Sequence, residues 1–261
     1  MKAIIIAAGT GSRLGSLTEG IPKCLLDING TSILENTLEL LGTNNIKDIG
    51  IVVGHQANKI QIKDVQYFEN RDYKNNNILH SLMCAKKFMD DDLIITYSDI
   101  WLEAPLLEQI VTRRESLVVS VDTYWKENYI GRTDHPISQA ENAVYDDHGI
   151  LRKIGKHIDP EAIEENYHCG EFIGLFKLSK QFCNTFINVF EDLNRSHKKE
   201  QPFQNSESWE KSYITDFFSE LLERGYPLYC SLHRKQWFEI DTGQDYEKLL
   251  RQQQEKTSHI Q

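Results

Sequence analysis

The chain has 261 residues, of which 40% are hydrophobic, enough to bury a full core in a single enzyme-sized domain. Its 29 basic and 39 acidic residues give a net charge of −10, which argues against nucleic acid and against an anionic membrane surface as partners. The five cysteines lack zinc-site spacing, and the N-terminus has neither a cleavage site nor a run long enough for membrane insertion, so we expect a reduced, cytoplasmic protein.

The first element is an apolar, β-branched run, Lys2–Ala7, that leads directly into glycines. This pattern predicts a buried strand ending in a tight turn, where backbone N–H groups can approach a phosphate. The glycines of residues 9–15 do not form the dinucleotide pattern G-x-G-x-x-G, and no G-x-x-x-x-G-K-[ST] loop is present. A glycine turn alone is more often only a turn. Arg13 and Lys23 supply the positive charge that a triphosphate needs, and they favour a nucleotide site.

Helices and strands alternate through the first 121 residues. Strands are predicted at Asp48–Val53, Val65–Phe68, Leu93–Tyr97 and Ser116–Val121, and helices at residues 33–41, 75–83 and 104–114. The first of these helices follows a capping pattern, Ser32-Ile-Leu-Glu35. The alternation predicts a parallel sheet with helices on both faces, which collects its ligands at the carboxyl ends of the strands.

Acidic residues stand at the ends of two predicted strands. Asp99 follows Leu93–Tyr97, while Glu239 and Asp241 lie two apart on a strand, so their carboxylates face the same side. A carboxylate in such a place can hold Mg²⁺ against a phosphate. The simpler alternatives are a turn or helix cap for Asp99 and a solvated acid pair for the other two.

The segment from Asp122 to Lys156 is predicted to be a β-rich excursion that covers the acceptor side of the sheet. Its mixture of charges and aromatic rings suits a zwitterion: cations would hold a phosphate or phosphonate, and a carboxylate such as Asp122 or an aromatic face would hold an ammonium. The alternative is an ordinary polar hairpin with surface aromatics. The candidate acceptor-binding residues are Trp125, Tyr129, Arg132, Glu141, Lys156 and, beyond the segment, Glu171.

The last third of the chain returns to the sheet and closes it. A strand at Phe172–Leu178 is followed by a helix at 181–193, a polar surface connection at 194–210, a core helix at 213–224, strands at 227–230 and 237–241, and a helix at 244–254. We predict one domain over residues 1–255, with a nucleotide-binding half at 1–121, an acceptor-binding part at 122–178 and closing elements at 179–255. A tail at 256–261 is expected to fray.

Several motifs carry a family resemblance. The run Ala7-Ala-Gly-Thr-Gly-Ser-Arg13-Leu14, with Pro22-Lys23, resembles the signature of the sugar-1-phosphate nucleotidyltransferase superfamily, in particular its phosphocholine and 2-aminoethylphosphonate cytidylyltransferase-like branch. Glu239-Ile-Asp241 resembles the closing motif of that family, and Asn76-Asn77-Ile78 with Ser81 is similar to its segment beside the base. The resemblance implies a single α/β domain, Rossmann-like or glycosyltransferase-A-like, with a mixed, mostly parallel sheet, helices on both faces and a small β-rich acceptor insertion.

The resemblance also implies roles for individual residues. Arg13 and Lys23 would act on the triphosphate, and Asp99 and Asp241 would hold Mg²⁺, with Glu239 as a candidate further ligand. The nucleotide would be bound by Ala7, Ala8, Gly9, Thr10, Gly11, Ser12, Arg13, Lys23, Asn77 and Ser81.

The activity implied is Mg²⁺-dependent transfer of CMP from CTP to a small phosphorylated or phosphonylated amine, of the phosphocholine or 2-aminoethylphosphonate type, with release of pyrophosphate. One alternative is a sugar-1-phosphate nucleotidyltransferase that uses UTP or dTTP. A non-catalytic binding module is a weaker alternative, because the basic and acidic site residues are all present. A homodimer is compatible with the sequence.

Overall fold

A computed structural model describes residues 1–258 of the chain, with side chains through residue 255. The strands are β1 (Lys2–Ala7), β2 (Asp27–Ile28), β3 (Thr31–Ser32), β4 (Asp48–Val53), β5 (Gln66–Glu69), β6 (Leu93–Tyr97), β7 (Ile100–Leu102), β8 (Leu117–Asp122), β9 (Asn142–Asp146), β10 (Leu151–Gly155), β11 (Tyr167–Leu178), β12 (Tyr229–His233) and β13 (Trp237–Glu239). The α-helices are α1 (Ile33–Thr43), α2 (Ile78–Met83), α3 (Ala104–Val111), α4 (Lys180–Ser196), α5 (Ile214–Glu223) and α6 (Gly243–Ser258).

The central sheet has nine strands in the order β10-β9-β11-β6-β1-β4-β5, with β8 paired to β11 and β12 paired to β8. The parallel and antiparallel pairings leave seven strands running in one direction and only β10 and β11 running against them. The α/β fold with a mixed, mostly parallel sheet is therefore confirmed.

Both faces of the sheet are covered by helices, as the alternating pattern predicted. Side chains of β1 point alternately to the two faces, where they join two large apolar clusters. One cluster includes residues of α2, α4 and α5, and the other includes residues of α1 and α3. Because β1 is hydrogen-bonded to β4 on one side and β6 on the other, its apolar run is buried throughout.

Local signals fixed the start of α1. The Ser32 hydroxyl accepts a hydrogen bond from the Glu35 amide at 3.1 Å, and the Glu35 carboxylate accepts one from the Ser32 amide at 2.8 Å. These reciprocal bonds form the predicted capping box. The helix continues past Gly42 and ends at Thr43.

Two sequence predictions for the second half of the chain are wrong. Residues 194–210 are not only a surface connection, because Phe203 and Trp209 are 4% and 1% exposed and belong to the main core. The C-terminal helix does not end at Gln254 but runs through Ser258, supported by a pair between Glu247 and Arg251. Residues 259–261 of the predicted frayed tail lie outside the described residues. Over the described part of the chain, no helix is both long and apolar enough to span a bilayer.

Candidate active site

A cavity of about 340 Å³ opens at the carboxyl ends of β1 and β6. All ten residues predicted to bind the nucleotide line it, as do Asp99, Glu239 and Asp241. Of the six predicted acceptor residues, Tyr129, Glu141, Lys156 and Glu171 line it, whereas Trp125 and Arg132 do not. The cavity therefore brings together most of the residues singled out in the sequence, at the sheet edge where ligands were expected.

The glycine-rich loop is held directly over Lys23. Gly11 has a φ of +64°, and a Cβ at this position would lie 3.1 Å from the Cβ of Lys23. The Thr18 hydroxyl donates a hydrogen bond to the Gly11 carbonyl at 3.1 Å and so stabilises the turn. The sequence needs glycine here because the left-handed backbone and the close approach of Lys23 both disfavour a side chain.

Lys23 bridges the two acids predicted to bind metal. Its Nζ lies 2.9 Å from Oδ2 of Asp99 and 2.5 Å from Oδ1 of Asp241. These two carboxylate oxygens are therefore at most 5.4 Å apart. Burial acts to lower the pKa of Lys23, but the two carboxylates outweigh it and raise that pKa.

The pairing of two short strands brings these acids together. β7 directly follows Asp99 and pairs antiparallel with β13, so that Glu239 lies opposite Ile100. The Ile240 amide then donates a hydrogen bond to the Asp99 carbonyl at 3.0 Å. Residues far apart in sequence thus meet through backbone hydrogen bonds, which fixes Asp99 beside Asp241.

Three basic side chains contact Asp241. Besides Lys23, Arg13 contacts Oδ2 of Asp241 at 2.8 Å, and Nδ1 of His135 contacts the same oxygen at 2.8 Å. Burial would raise the pKa of Asp241, but His135, Lys23 and Arg13 hold it well below its usual range. The carboxylate is ionised, as a metal ligand must be.

Glu239 lies beside the acid pair and has a partner of its own. Its Oε2 accepts a hydrogen bond from Arg132 at 2.8 Å, and one ligand atom each from Glu239, His135 and Asp241 fall within 4.8 Å of one another. Burial, followed by the charge of Asp241, raises the pKa of Glu239. These contacts place Glu239 beside the cluster while tying one of its oxygens to Arg132.

Arg132 binds the closing motif of the chain rather than facing the cavity. Its guanidinium forms two hydrogen bonds with Asp245, at 2.7 and 2.9 Å, in addition to the bond with Glu239, and its side chain is 7% exposed. Asp245 in turn accepts hydrogen bonds from the amides of Asp241 and Thr242. The prediction of Arg132 as an acceptor ligand is corrected: its charge is already used within the protein.

Two further acceptor candidates are buried structural residues. Trp125 is 3% exposed and packs edge to face on Tyr129, so it lies behind the cavity wall. Asp122 is fully buried and accepts hydrogen bonds from the Trp237 indole at 2.8 Å and the Asn128 amide at 3.1 Å. Neither side chain is placed to contact an acceptor.

The acceptor candidates that line the cavity combine carboxyl groups, phenols and one lysine. Glu171 contacts the Tyr129 hydroxyl through one oxygen, and its other oxygen is buried and has no hydrogen-bond partner among the residues that the structure describes. Burial, and next the charge of Glu239, raises the pKa of Glu171 well above its usual value. Lys156 places its ammonium 4.3 Å from the centre of the Tyr213 ring.

The two residues predicted to read the base are partly committed within the protein. The Asn77 side chain caps α2, accepting from the Ile78 amide at 2.9 Å and donating to the Lys211 carbonyl at 3.0 Å. The Ser81 hydroxyl accepts from the Asn70 side chain at 2.8 Å. Asn77 is thus the N-cap of α2, and its contact with a base stays a prediction.

Sequence reasoning missed several cavity residues. His135 lies in the segment Asp122 to Lys156 but is not among the predicted site residues, although it contacts Asp241. Tyr97 and Tyr213 were assigned only to a strand and a core helix. A usable signal exists for Tyr97, because it immediately precedes Ser98-Asp99 at a strand end. Nothing local in the sequence marks Tyr213.

Comparison with known proteins identifies the family of the chain. Residues 3–159 match the family model of the MobA-like NTP transferase domain. The chain is 31% identical over 259 residues to the CTP:phosphoglutamine cytidylyltransferase of Campylobacter jejuni, covering 95% of this chain and 98% of that protein. It is 28% identical over 188 residues to the choline-phosphate cytidylyltransferase of Streptococcus pneumoniae, covering 67% and 81% of the two chains.

Among solved structures, the CTP:phosphocholine cytidylyltransferase of Streptococcus pneumoniae is similar with a TM-score of 0.69 at 21% identity, over 96% of this chain and 97% of that one. This likeness shows a shared fold. The family model covers more than half of the chain, and the full-length relative exceeds 30% identity. The chain therefore belongs to the MobA-like NTP transferase family and is a nucleotidyltransferase of the cytidylyltransferase-like branch.

Proposed function

We propose that this protein transfers CMP from CTP to a small phosphorylated or phosphonylated amine and releases pyrophosphate. The observation that carries the proposal is the arrangement of Lys23 between Asp99 and Asp241, directly beneath the glycine-rich loop. The choice of CTP is supported by the relatives in Campylobacter jejuni and Streptococcus pneumoniae, whose names describe cytidylyltransferases.

The acid pair fits a divalent cation. Carboxylate oxygens are the protein ligands that Mg²⁺ prefers, and the Lys23 ammonium already lies between one oxygen of Asp99 and one of Asp241. These two acids would hold Mg²⁺, with Glu239 as a candidate further ligand. The bound ion would neutralise charge on the α-phosphate and on the attacking oxygen.

Arg13 and Lys23 would bind the phosphates of the nucleotide. Both now contact Asp241, and Arg13 is 58% exposed, so its side chain has freedom to move onto a triphosphate. The guanidinium can bind two phosphate oxygens at once, while the ammonium acts as a point charge. In these positions the two cations would stabilise the negative charge that develops on the departing pyrophosphate.

The reaction itself needs little acid–base help. An oxygen of the acceptor phosphate attacks the α-phosphorus, a new P–O bond forms, and the bond from the α-phosphorus to the bridging oxygen breaks to release pyrophosphate. A phosphate monoester has its second pKa near ~6, so the attacking oxygen is anionic at neutral pH. The residues of the site are then required to align two anions and neutralise their charge.

The far side of the cavity would hold the acceptor. Lys156 is the cation available for its anionic group, since no ion pair is formed by this side chain within the described part of the chain. Glu141 and Glu171 would face its ammonium, with Tyr129 beside Glu171. One ammonium group and two carboxyl groups thus line the same cavity, as a zwitterionic acceptor requires.

Pyrophosphate release tests the proposal. The protein is assayed with Mg²⁺ and each of CTP, UTP, dTTP and ATP against phosphoethanolamine, phosphocholine, 2-aminoethylphosphonate, phosphoglutamine and hexose 1-phosphates. We expect turnover with CTP and at least one phosphorylated or phosphonylated amine. Turnover confined to a hexose 1-phosphate with UTP or dTTP would instead support the sugar-nucleotide alternative.

A further inference from the structure

One corner of the cavity contains a hydroxyl that no hydrogen bond satisfies within the described part of the chain. The Tyr97 hydroxyl is buried and has no partner there, although Tyr97 lines the cavity. Leaving a buried hydroxyl unpaired destabilises the fold. An unpaired hydroxyl on a residue that lines a cavity points to a ligand that completes it.

The Glu141 carboxyl belongs to the same corner. The Tyr97 ring packs edge to face on Phe172 at 6.0 Å, and the Phe172 amide donates a hydrogen bond to the Glu141 carbonyl at 2.7 Å. One carboxyl oxygen of Glu141 accepts from the Thr215 hydroxyl at 2.8 Å, which leaves the other oxygen able to accept. Both residues thus contact Phe172 and line the cavity, and they are close enough that burial, and next the charge of Glu141, raises the pKa of Tyr97.

The backbone holds the Tyr97 ring in this place. Gly174 has a φ of +79°, and a Cβ at this position would lie 2.4 Å from the ring. The Tyr97 ring consequently packs against the backbone of β11 at Gly174, where no side chain intervenes. This close contact fixes the orientation of the ring and of its hydroxyl. The corner is built by the fold and does not depend on a flexible side chain finding its position.

We infer that Tyr97 and Glu141 bind the nitrogen of the acceptor as a primary ammonium, and that a quaternary ammonium is rejected. This inference rests on the proposed function and narrows its acceptor class. A primary ammonium brings three N–H donors, which the Glu141 oxygen and the Tyr97 oxygen accept. A trimethylammonium brings none, occupies more volume and leaves both groups unpaired.

The other charged groups of the cavity fit this assignment. Glu171 already contacts Tyr129, and the charges of Glu239 and Arg132 act on it. Lys156 lies close enough to Glu141 to lower its pKa, yet the two form no direct ion pair in the described part of the chain. Lys156 therefore stays available for the anionic end of the acceptor, while Glu141 binds the cationic end.

A methylation series tests the inference on the unmodified enzyme. Initial rates with CTP and Mg²⁺ are measured for phosphoethanolamine and its mono-, di- and trimethylated derivatives, the last being phosphocholine. We expect kcat/KM to fall with each methyl group and to be at least ~100-fold lower for the quaternary compound, because a site built for N–H donors discriminates strongly against analogues that lack them. Equal or better use of phosphocholine would overturn the inference and leave the proposed function intact.

Variants then locate the discrimination. Tyr97→Phe and Glu141→Gln should each lower kcat/KM for phosphoethanolamine by ~10-fold or more and change kcat/KM for phosphocholine little. The ratio of the two values, which measures the selectivity for the primary amine, should therefore fall. Tyr226→Phe, at a partly buried tyrosine that packs on the main core, is the matched control and should keep the selectivity. Variants that keep the full selectivity would also overturn the inference, whereas failure of every phosphorylated and phosphonylated amine to accept CMP would overturn the proposed function.

Discussion

Glu141 should weaken the fold in the absence of a ligand, in a way that depends on pH. Burial raises the pKa of its carboxyl from the usual 4.5 to about 7, against the opposing effects of Lys156 and of the hydrogen bond from Thr215. At ~1.4 kcal/mol per pH unit, this difference corresponds to an upper limit of ~3 kcal/mol of stability. Glu141→Gln removes the charge and keeps the shape and the oxygen that Thr215 contacts.

The sign of the effect follows from the two protonation equilibria. Below 4.5 the carboxyl is neutral in both the folded and the unfolded chain, so it costs nothing. Between 4.5 and about 7 only the unfolded chain releases the proton, and the folded state loses stability progressively. We therefore expect Glu141→Gln to be more stable than the wild type by up to ~3 kcal/mol at pH 8 and by less than ~1 kcal/mol at pH 5.

Urea denaturation followed by circular dichroism at pH 5 and pH 8 measures this difference. Glu165→Gln, at an exposed glutamate, is the matched control and should leave the denaturation midpoint within experimental error at both pH values. A Glu141→Gln variant whose gain in stability is the same at pH 5 and pH 8, or that is less stable at pH 8, would refute the reasoning. Adding phosphoethanolamine together with CTP should raise the denaturation midpoint of the wild type strongly and that of Glu141→Gln only slightly.

Four further substitutions test the site. Lys23→Ala should lower kcat by at least ~100-fold in a pyrophosphate-release assay, while Lys87→Ala, at a lysine outside the cavity, should not; near-normal turnover of the first variant would contradict its role. Asp99→Asn and Asp241→Asn should each raise the Mg²⁺ concentration needed for half-maximal activity by ~10-fold or more, and an unchanged metal dependence would remove them as ligands. Trp125→Ala should cost ~3–5 kcal/mol in chemical denaturation, because the side chain is 3% exposed, and the folded fraction should keep its KM for the acceptor; a large change in that KM would place Trp125 in the site after all.

The first strand and the glycine loop could be predicted from the sequence because their causes are local. An apolar β-branched run specifies a buried strand, and glycines with positive φ specify the turn that follows it. The bounds of Asp48–Val53 and Leu93–Tyr97 were also predicted exactly, since both are short apolar runs bordered by polar residues. The acids Asp99 and Asp241 were found through their positions at strand ends.

The acceptor side could not be predicted residue by residue. An alternation of charged and aromatic residues does not report which of them face a cavity and which are paired elsewhere in the fold. Arg132 is satisfied by Asp245 and Glu239, more than a hundred positions away in the sequence, and no local pattern shows this. Residues 194–210 are polar on average, and for that reason the segment was predicted to lie on the surface. Phe203 and Trp209 are nevertheless buried, because they contact other parts of the core that are distant in sequence.

The buried acids of the site also explain why its cations are so closely packed. An ionised carboxylate that is taken out of water must be paired, or the fold loses several kcal/mol. Asp241 is 4% exposed and has three basic partners, of which Lys23 and Arg13 are the cations that the proposed reaction would transfer to the phosphates of CTP. When these cations move onto the nucleotide, the acids they leave behind require another positive charge. A divalent ion that enters with the triphosphate would supply it, so the same electrostatic demand that holds the ligand-free protein together would also couple metal binding to nucleotide binding.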